Sequence, residues 1–304
     1  MGAGDYEVLD EDFRRKIRLS ANVEKLYTGC IWAEGPAYFP AHRALIWSDV
    51  PGDRMFRFDE TNGSVSVFRG PSNYSNGNTV DRQGRLVTCE HGARRVTRTE
   101  HDGTITVLAD RYDGGRFNGP NDVVVKSDGS IWFTDPTYGI DSDYEGHKAE
   151  SEQDGSHVYR IDPADGTVTR VLDDFEKPNG LAFSPDERLL YVVDTGATHR
   201  PDGPRHIRRF AVDEGRRLSG GDVFAELEDG FFDGFRIDED GRIWTSAGDG
   251  VNCYEPDGRL TGRIRIGETV ANLVFGGPKR NRLYICATTS IYSVLVAVNG
   301  AKTF

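Results

Sequence analysis

Six polar residues recur at the head of one repeated sequence phrase, and each carries a side-chain oxygen atom. The phrase is a polar residue, an apolar triplet, a short turn and an aromatic-containing strand, as in NDVVVKSDGSIWFTD and NGLAFSPDERLLYVVD. If the repeats surround one axis, these oxygens converge, and converging carboxylate and amide oxygens can bind a hard cation. We call them the leading residues: Glu34, Asn78, Asn121, Asn179, Asp233 and Asn272.

The acids in this set indicate which ion it would hold. Glu34 and Asp233 bring two negative charges, which match one divalent cation, and the asparagine carbonyls complete an oxygen shell. Histidine is absent from the set, so one Ca²⁺ ion is expected first, with Mg²⁺ or Mn²⁺ next and Zn²⁺ less favoured. The alternative is a hydrogen-bonded polar plug that holds water without an ion.

The segments between the leading residues predict strands rather than helices. From Gly29 to Gly277 no glycine-free stretch exceeds 16 residues, and glycine destabilises helix interiors. The gaps hold short β-branched and aromatic runs, separated by the Asp/Gly turns that are typical of hairpins. We predict strands in these runs, the clearest being residues 44–47, 55–58, 85–88, 130–134, 157–161, 189–193, 242–245 and 283–286.

The spacing of the leading residues predicts how these strands are grouped. Their intervals are 44, 43, 58, 54 and 39 residues, near the roughly 40 to 50 residues of a four-stranded propeller blade. The fold class is therefore predicted as all-β, a six-bladed β-propeller. The last repeat has sequence for only about three of its four strands, so a strand at residues 23–29 is expected to pair with it and close the ring. Residues 23–304 then form one propeller domain, and residues 1–22 form an N-terminal arm.

Antiparallel pairing places several loops on the same face as the leading residues. His91 lies in one of them, and it is either the alternative general base, because its ordinary pKa is near neutrality, or a structural residue. Residues 137–156 form another loop and carry six acids. We expect this loop either to cover the ring as a lid or to be solvated, and Tyr138 near its start is a substrate-binding candidate.

Composition excludes several classes of function. With 37 Lys and Arg against 49 Asp and Glu, the formal charge is -12, so the basic surface that nucleic acid binding requires is missing. No apolar run is long enough for a membrane span, and the N-terminus lacks the apolar core of a secretory signal, so a cytoplasmic location is expected. A G-x-S-x-G nucleophile motif is also missing. A small-molecule substrate and a monomer or weak homodimer are expected.

Five motifs follow one another along nearly the whole chain: EGPAYFP, RFNGPNDVVVKSDGSIWFTDP, KPNGLAFSPDERLLYVVD, FFDGFRIDEDGRIW and ANLVFGG. Together they resemble the senescence marker protein/gluconolactonase family, which includes regucalcin and is related to diisopropylfluorophosphatase and paraoxonase. The resemblance implies a six-bladed propeller with an axial divalent metal. It also implies that Glu34, Asn179 and Asp233 bind this metal. Asn121 would be a further ligand or a substrate contact, and Arg116 would contact substrate.

The expected function is metal-dependent hydrolysis of a sugar lactone of the gluconolactone type to its aldonic acid. The metal would polarise the carbonyl group, and Asp233 would activate water as a base or act as the nucleophile. An acidic lid fits a neutral substrate. The alternatives are a promiscuous lactonase or phosphotriesterase, and a metal-binding propeller without catalysis. The candidates for substrate contacts are Arg116, Asn121, Tyr138, His91 and Asn78.

Overall fold

The computed structural model describes residues 5–302, and these residues form an all-β fold of antiparallel sheets. Two strands precede the first sheet, namely β1 (Tyr6–Val8) and β2 (Glu24–Thr28). The first four-stranded sheet contains β3 (Ala33–Phe39), β4 (Ala44–Asp49), β5 (Arg54–Asp59) and β6 (Ser64–Arg69). The second contains β7 (Ser75–Val80), β8 (Leu86–Glu90), β9 (Arg95–Thr99) and β10 (Ile105–Ala109).

The middle of the chain adds two further four-stranded sheets. A small hairpin comes first, formed by β11 (Arg111–Tyr112) and β12 (Gly115–Arg116). The third sheet contains β13 (Val123–Val125), β14 (Ile131–Asp135), β15 (Ser156–Ile161) and β16 (Val168–Phe175). The fourth contains β17 (Pro178–Phe183), β18 (Leu189–Asp194), β19 (His206–Asp213) and β20 (Arg217–Glu226). The predicted four-stranded antiparallel unit is confirmed in all four sheets.

The rest of the chain forms one sheet of eight strands. Its long strand β24 pairs with β23 through its first part and with β25 through its second part. The N-terminal strands β1 and β2 join the same sheet, β1 beside β24 and β2 beside β26. Its six remaining strands are β21 (Phe235–Ile237), β22 (Ile243–Ser246), β23 (Gly248–Tyr254), β24 (Leu260–Gly276), β25 (Arg282–Ala287) and β26 (Ser290–Leu295).

Among residues 5–302, helices are few and short. Three are 3-10 helices of three to five residues, and one is a single turn of α-helix, α1 (Tyr138–Asp141). None of the helices between residues 5 and 302 has the length and apolar character needed to cross a membrane. The 3-10 helices span Glu11–Arg15, Pro40–His42 and Gly196–Thr198.

The sheets contact one another through their first strands and through buried apolar clusters. In order, β3 contacts β7, β7 contacts β13, β13 contacts β17, β17 contacts β21, β21 contacts β24, and β24 contacts β3. Six apolar clusters accompany these contacts. In one of them Trp132 of the third sheet packs with Leu181 of the fourth. In another, Trp47 of the first sheet packs with Tyr284 and Ile291 near the C-terminus. Burial of these large side chains stabilises the arrangement of the sheets.

The N-terminal segment is attached to the eight-stranded sheet. Phe13 is fully buried, and its ring lies 6.1 Å from that of Trp244. The buried ammonium group of Lys16 pairs with the carboxylate of Glu255. Of the predicted N-terminal arm, residues 1–4 lie outside the described residues, and the part from residue 5 onward packs on strands β22 to β24.

Glu268 in β24 connects the N-terminal and C-terminal parts of the chain. Its carboxylate accepts hydrogen bonds from Ser290 Oγ at 2.6 Å, Tyr292 OH at 2.7 Å and Lys25 Nζ at 2.9 Å. Lys25 belongs to β2, whereas Ser290 and Tyr292 belong to β26. Burial tends to raise the pKa of Glu268, but these hydrogen bonds outweigh it and lower the pKa to about 2. The carboxylate therefore stabilises the pairing of β2 with the last strand, β26.

Replacing Glu268 with Gln should lower the free energy of unfolding at pH 7 by about 1 kcal/mol, because Lys25 is half exposed and solvent screens part of the interaction. A folded-state pKa below the ordinary value of 4.5 stabilises the protein above that pH, and the stabilisation is lost as the pH falls towards 2. The difference between wild type and Glu268→Gln should therefore shrink at pH 3. Urea denaturation at both pH values measures it, with Glu214→Gln as an exposed control. An equal loss at the two pH values would contradict the assignment.

Candidate active site and metal centre

A cavity of about 440 Å³ lies where the first strands of the sheets begin. We call it the upper cavity. Three carboxyl groups and several amides face it, together with aromatic and hydroxyl side chains. It is lined by Trp32, Glu34, Asn76, Asn121, Tyr138, Glu145, Asn179, Thr195, Thr198, Gly230, Phe231, Phe232, Asp233, Gly248, Thr269 and Val270.

The four residues expected to bind a metal all line this cavity. Glu34 and Asn179 are the second residues of β3 and β17. Asn121 lies just before β13, and Asp233 lies just before β21. Each side chain therefore comes from the entrance of a different first strand. The structure thus brings these four together, as the repeated phrase predicts.

Glycines after these residues allow the first strands to approach closely. Gly35 follows Glu34 with φ +52°, and a Cβ atom there would lie 1.9 Å from the carbonyl oxygen of Asn76. A Cβ atom on Gly180, which follows Asn179, would lie 2.3 Å from the carbonyl oxygen of Asp233. Any larger residue would push the neighbouring strand entrances apart. These two glycines therefore hold the polar side chains close to one another.

The two acids of the cavity are close and poorly solvated. Burial raises the pKa of Glu34 to about 7, although hydrogen bonds from Gly35 N at 2.8 Å and Asn272 Nδ2 at 3.1 Å favour its ionised form. Burial raises the pKa of Asp233 well above its ordinary value, and the negative charge of Glu34 raises it further. Two adjacent carboxylates without a cation repel each other. This pair therefore favours a bound positive charge.

The side chains that could bind a metal are a mixture of acids and amides, and this mixture suits a hard divalent cation. No group of three or more His, Cys, Asp or Glu side chains able to hold a metal occurs in the described part of the chain, residues 5–302. The cavity offers two carboxylates, from Glu34 and Asp233, and two amides, from Asn121 and Asn179. Oxygen donors of this kind suit Ca²⁺, Mg²⁺ or Mn²⁺. The residues present therefore fit such an ion, with two negative charges to balance it.

Tyr138 lies where the sequence predicts it, on the wall of the upper cavity. It is the first residue of α1. Its hydroxyl lies 2.7 Å from Thr195 Oγ1 and 3.0 Å from Thr198 Oγ1. The ammonium group of Lys177 lies 4.9 Å from the centre of its ring. These contacts fix the ring and leave a row of hydroxyl groups along one side of the cavity.

Glu145 is a cavity residue that the repeat analysis missed. It lies in the acidic loop of residues 137–156 and faces the two acids of the floor. Burial raises its pKa to about 7, the charge of Asp141 adds to this, and Lys177 opposes it. Only the position of this loop over the ring hinted at such a residue, because nothing distinguishes Glu145 from the other five acids of the loop. The loop thus places a third carboxyl group at the cavity, opposite its floor.

His91 lies behind the cavity rather than in it. The side chain is fully buried. Its Nδ1 lies 3.1 Å from the carbonyl oxygen of Glu145, and its Nε2 lies 3.4 Å from Asn76 Nδ2. Burial lowers its pKa to about 4, so the ring is neutral, with Nδ1 donating to Glu145 and Nε2 accepting from Asn76. The position of His91 therefore does not support a contact with substrate. It supports the alternative, which is a structural role.

Asn76, not Asn78, faces the cavity in the second sheet. The amide group of Asn78 points into the wall: it donates to Gly35 O at 2.9 Å and to Ser48 Oγ at 3.0 Å, and it accepts from Thr88 Oγ1 at 2.8 Å. The assignment of Asn78 as a substrate contact was therefore two residues out of register. The glycine that follows Glu34 and Asn179 also follows Asn76, and this signal could have identified it.

Arg116 lies away from the upper cavity. It is the last residue of β12 and is exposed. Its guanidinium group donates to the carbonyl oxygen of Ala93 at 3.0 Å, and its backbone N–H donates to the Glu152 carboxylate at 2.9 Å. The expectation that Arg116 contacts substrate is not met by this placement, since its side chain bonds to Ala93 and does not line the upper cavity.

Comparison with known proteins adds evidence of a different kind. Residues 32–289 match the family described as the SMP-30/Gluconolactonase/LRE-like region. A gluconolactonase of Zymomonas mobilis is 30% identical over 301 residues, covering 93% of this chain and 83% of that protein. A pentonolactonase of Haloferax volcanii is 30% identical over 276 residues, covering 85% and 82%. The solved structure of a gluconolactonase from Xanthomonas campestris is 38% identical with a TM-score of 0.90, and the match covers 96% of this chain and 94% of that one.

Proposed function

The chain belongs to the SMP-30/gluconolactonase/LRE-like family, and on that premise we propose that it is a lactonase, an enzyme that hydrolyses the ester bond of a sugar lactone to give the aldonic acid. One observation carries the proposal. The acid pair of Glu34 and Asp233 lies on the floor of a cavity large enough for a monosaccharide. Relatives with similarity over most of their length are named for the hydrolysis of such lactones.

We further propose that the β-propeller-like fold has six blades and that the ring is closed by β2. The four four-stranded sheets supply four blades, and the eight-stranded sheet supplies two that share β24. This arrangement is supported by the cyclic order of contacts between the first strands. It is also supported by the pairing of β2 with β26 and by the apolar cluster that joins both ends of the chain.

A divalent cation, with Ca²⁺ preferred, would be held by Glu34, Asn121, Asn179 and Asp233. When bound, such an ion polarises the lactone carbonyl group and stabilises negative charge on its oxygen. The choice of Ca²⁺ is supported by the oxygen-only donors and by a cavity wide enough for the flexible, high coordination number of this ion. The two carboxylates are the reason to expect a doubly charged ion.

Asp233 carries the proton transfer in this proposal. Its carboxylate takes a proton from water as the water oxygen bonds to the carbonyl carbon of the lactone. The bond between that carbon and the ring oxygen then breaks, and the ring oxygen receives the proton and leaves as a hydroxyl group. The products are an open-chain aldonic acid and the regenerated carboxylate. A carboxylate held next to a cation is a weak base, which suits the activated ester of a lactone better than an amide.

The walls of the cavity position the substrate. Glu145 accepts hydrogen bonds from sugar hydroxyl groups, and Thr195 and Thr198 both donate and accept them. Trp32 and Phe231 give an apolar surface that packs against the C–H groups of the ring and limits access of bulk water. A neutral polyol lactone fits this combination. A substrate with several negative charges does not, because three carboxyl groups already face the cavity.

The experiment that tests the proposal measures acid release from glucono-1,5-lactone at constant pH, with and without added Ca²⁺, after subtraction of spontaneous hydrolysis. We expect kcat/KM of about 10⁴ M⁻¹ s⁻¹ or more, and loss of activity after chelation. Paraoxon and a simple aryl ester serve as competing substrates. A kcat/KM for paraoxon above that for every aldonolactone would favour phosphotriester hydrolysis, and no turnover of any ester would favour a binding protein.

A further inference from the structure

A second cavity of about 510 Å³ lies beside the upper cavity. We call it the side cavity. One wall is the end of β20 and the segment that follows it, with Glu226, Glu228 and Asp229, and the other is formed by β23 and the start of β24. Leu260 and Tyr254 provide its apolar surface. Its size is similar to that of the upper cavity, so it can hold a group as large as a second sugar ring.

The polar groups of the side cavity are almost all hydrogen-bond acceptors. Asn252 is 1% exposed, and within residues 5–302 its Oδ1 atom has no hydrogen-bond partner. Among the described residues, Glu226 and Glu228 form no ion pair. The cation of the cavity, Arg263, is directed to Glu7 of β1 at 3.3 Å. Buried acceptors normally have partners, so the Oδ1 atom of Asn252, beside the exposed carboxylates of Glu226 and Glu228, suits a ligand that supplies donors.

The two cavities adjoin each other at shared residues. Gly230 and Gly248 line both of them. A Cβ atom built on either glycine meets no other atom within 4 Å, so the boundary between the cavities is open at these positions. The buried rings of Phe232 and Tyr254 pack against each other 5.9 Å apart and separate the two spaces at that point. A molecule that occupies both spaces would therefore pass over the two glycines.

We propose that the side cavity binds a glycosyl group attached to the lactone, so that the substrate class of this enzyme includes disaccharide aldonolactones. This inference rests on the proposed function for the placement of the lactone ring in the upper cavity. The hydroxyl groups of the second sugar donate to Asn252 Oδ1 and to the carboxylates of Glu226 and Glu228. Its C–H face packs on Leu260. A phosphorylated or acidic second group is excluded, because the carboxylates would repel it.

Binding and turnover together test this proposal. Cellobionate and gluconate, the products from a disaccharide and a monosaccharide lactone, are titrated into the full-length protein in Ca²⁺-containing buffer by calorimetry. Wild type should bind cellobionate about tenfold more tightly than gluconate, because the second sugar adds hydrogen bonds to carboxylates and to an amide oxygen. Asn252→Leu removes the acceptor at nearly constant volume, and Leu260→Trp fills the side cavity. Both variants should lose the tenfold preference, whereas Leu295→Trp, at an exposed site on β26, should keep it.

The kinetic arm uses gluconolactone, cellobionolactone and maltobionolactone. Asn252→Leu and Leu260→Trp should lower kcat/KM for one or both disaccharide lactones about tenfold and leave gluconolactone unchanged. Equal binding of cellobionate and gluconate by the wild type would overturn the inference, even if gluconolactone is hydrolysed. A preference for cellobionate without hydrolysis of any lactone would retain the side cavity as a sugar site and reject the proposed reaction instead.

Discussion

Asp233→Asn should reduce kcat for gluconolactone about a thousandfold, because it removes the group that takes the proton from water. The substitution keeps the shape of the side chain and removes its basicity. It also removes one of two adjacent negative charges, which repel each other in the absence of a cation. Apo protein stability should therefore rise or stay constant while catalysis is lost. Initial rates at constant pH, together with thermal unfolding without metal, measure both effects.

Asp222→Asn is the matched control for this change. Asp222 lies on the outer strand β20, is exposed, and does not line the upper cavity. It should retain wild-type kcat and KM. Activity of Asp233→Asn within tenfold of the wild type would exclude Asp233 as the proton acceptor, and it would direct attention to Glu145 as the remaining carboxyl group of the cavity wall.

Calcium should raise the melting temperature of the wild type by about 5 °C at a concentration one hundred times Kd, since binding to the folded state alone adds about 2.7 kcal/mol. Glu34→Gln should abolish this shift. The reason is that the amide keeps the hydrogen-bonding shape of the side chain but removes one of the two charges that balance the ion. Differential scanning fluorimetry over a series of Ca²⁺ concentrations gives the result without any activity assay.

Two further metals and a control variant complete the calcium experiment. Mg²⁺ and Mn²⁺ are titrated in parallel, and the largest shift identifies the preferred ion. Glu214→Gln, at an exposed turn, should respond to Ca²⁺ as the wild type does. An unchanged Ca²⁺ shift in Glu34→Gln would mean that the ion binds elsewhere, and no shift in the wild type would favour the polar plug that the sequence leaves open.

The strands could be predicted from the sequence because local chemistry alone determines them. Residues 44–47, 157–161 and 189–193 all fall within observed strands, and their ends agree to within two residues. Each is a short run of β-branched and aromatic residues between turns, so the strand is the favoured local structure. The acids and amides at the head of the repeats could be placed at one cavity for the same reason, since each begins such a run.

The remaining site residues depend on features that the sequence does not encode locally. Asn76 and Asn78 differ by two positions, and only the irregular pairing between β7 and β8 at Ser75 to Asn78 decides which one faces the cavity. Glu145 reaches the cavity because His91 binds its carbonyl group from behind. Arg116 is turned outward by the hairpin of β11 and β12. Bulges and loop contacts of this kind arise from tertiary packing.

The contact between Gly35 and the backbone of Asn76, and that between Gly180 and Asp233, have a consequence for how this protein could change over evolutionary time. Because the entrances of neighbouring first strands touch, a shift of one of them displaces the next, so the catalytic floor can vary only as a whole. The connecting segments above it carry none of the floor residues Glu34, Asn121, Asn179 and Asp233, so they can be exchanged without moving the floor. New substrate ranges should therefore arise by replacement of those segments, with the chemistry beneath them inherited intact.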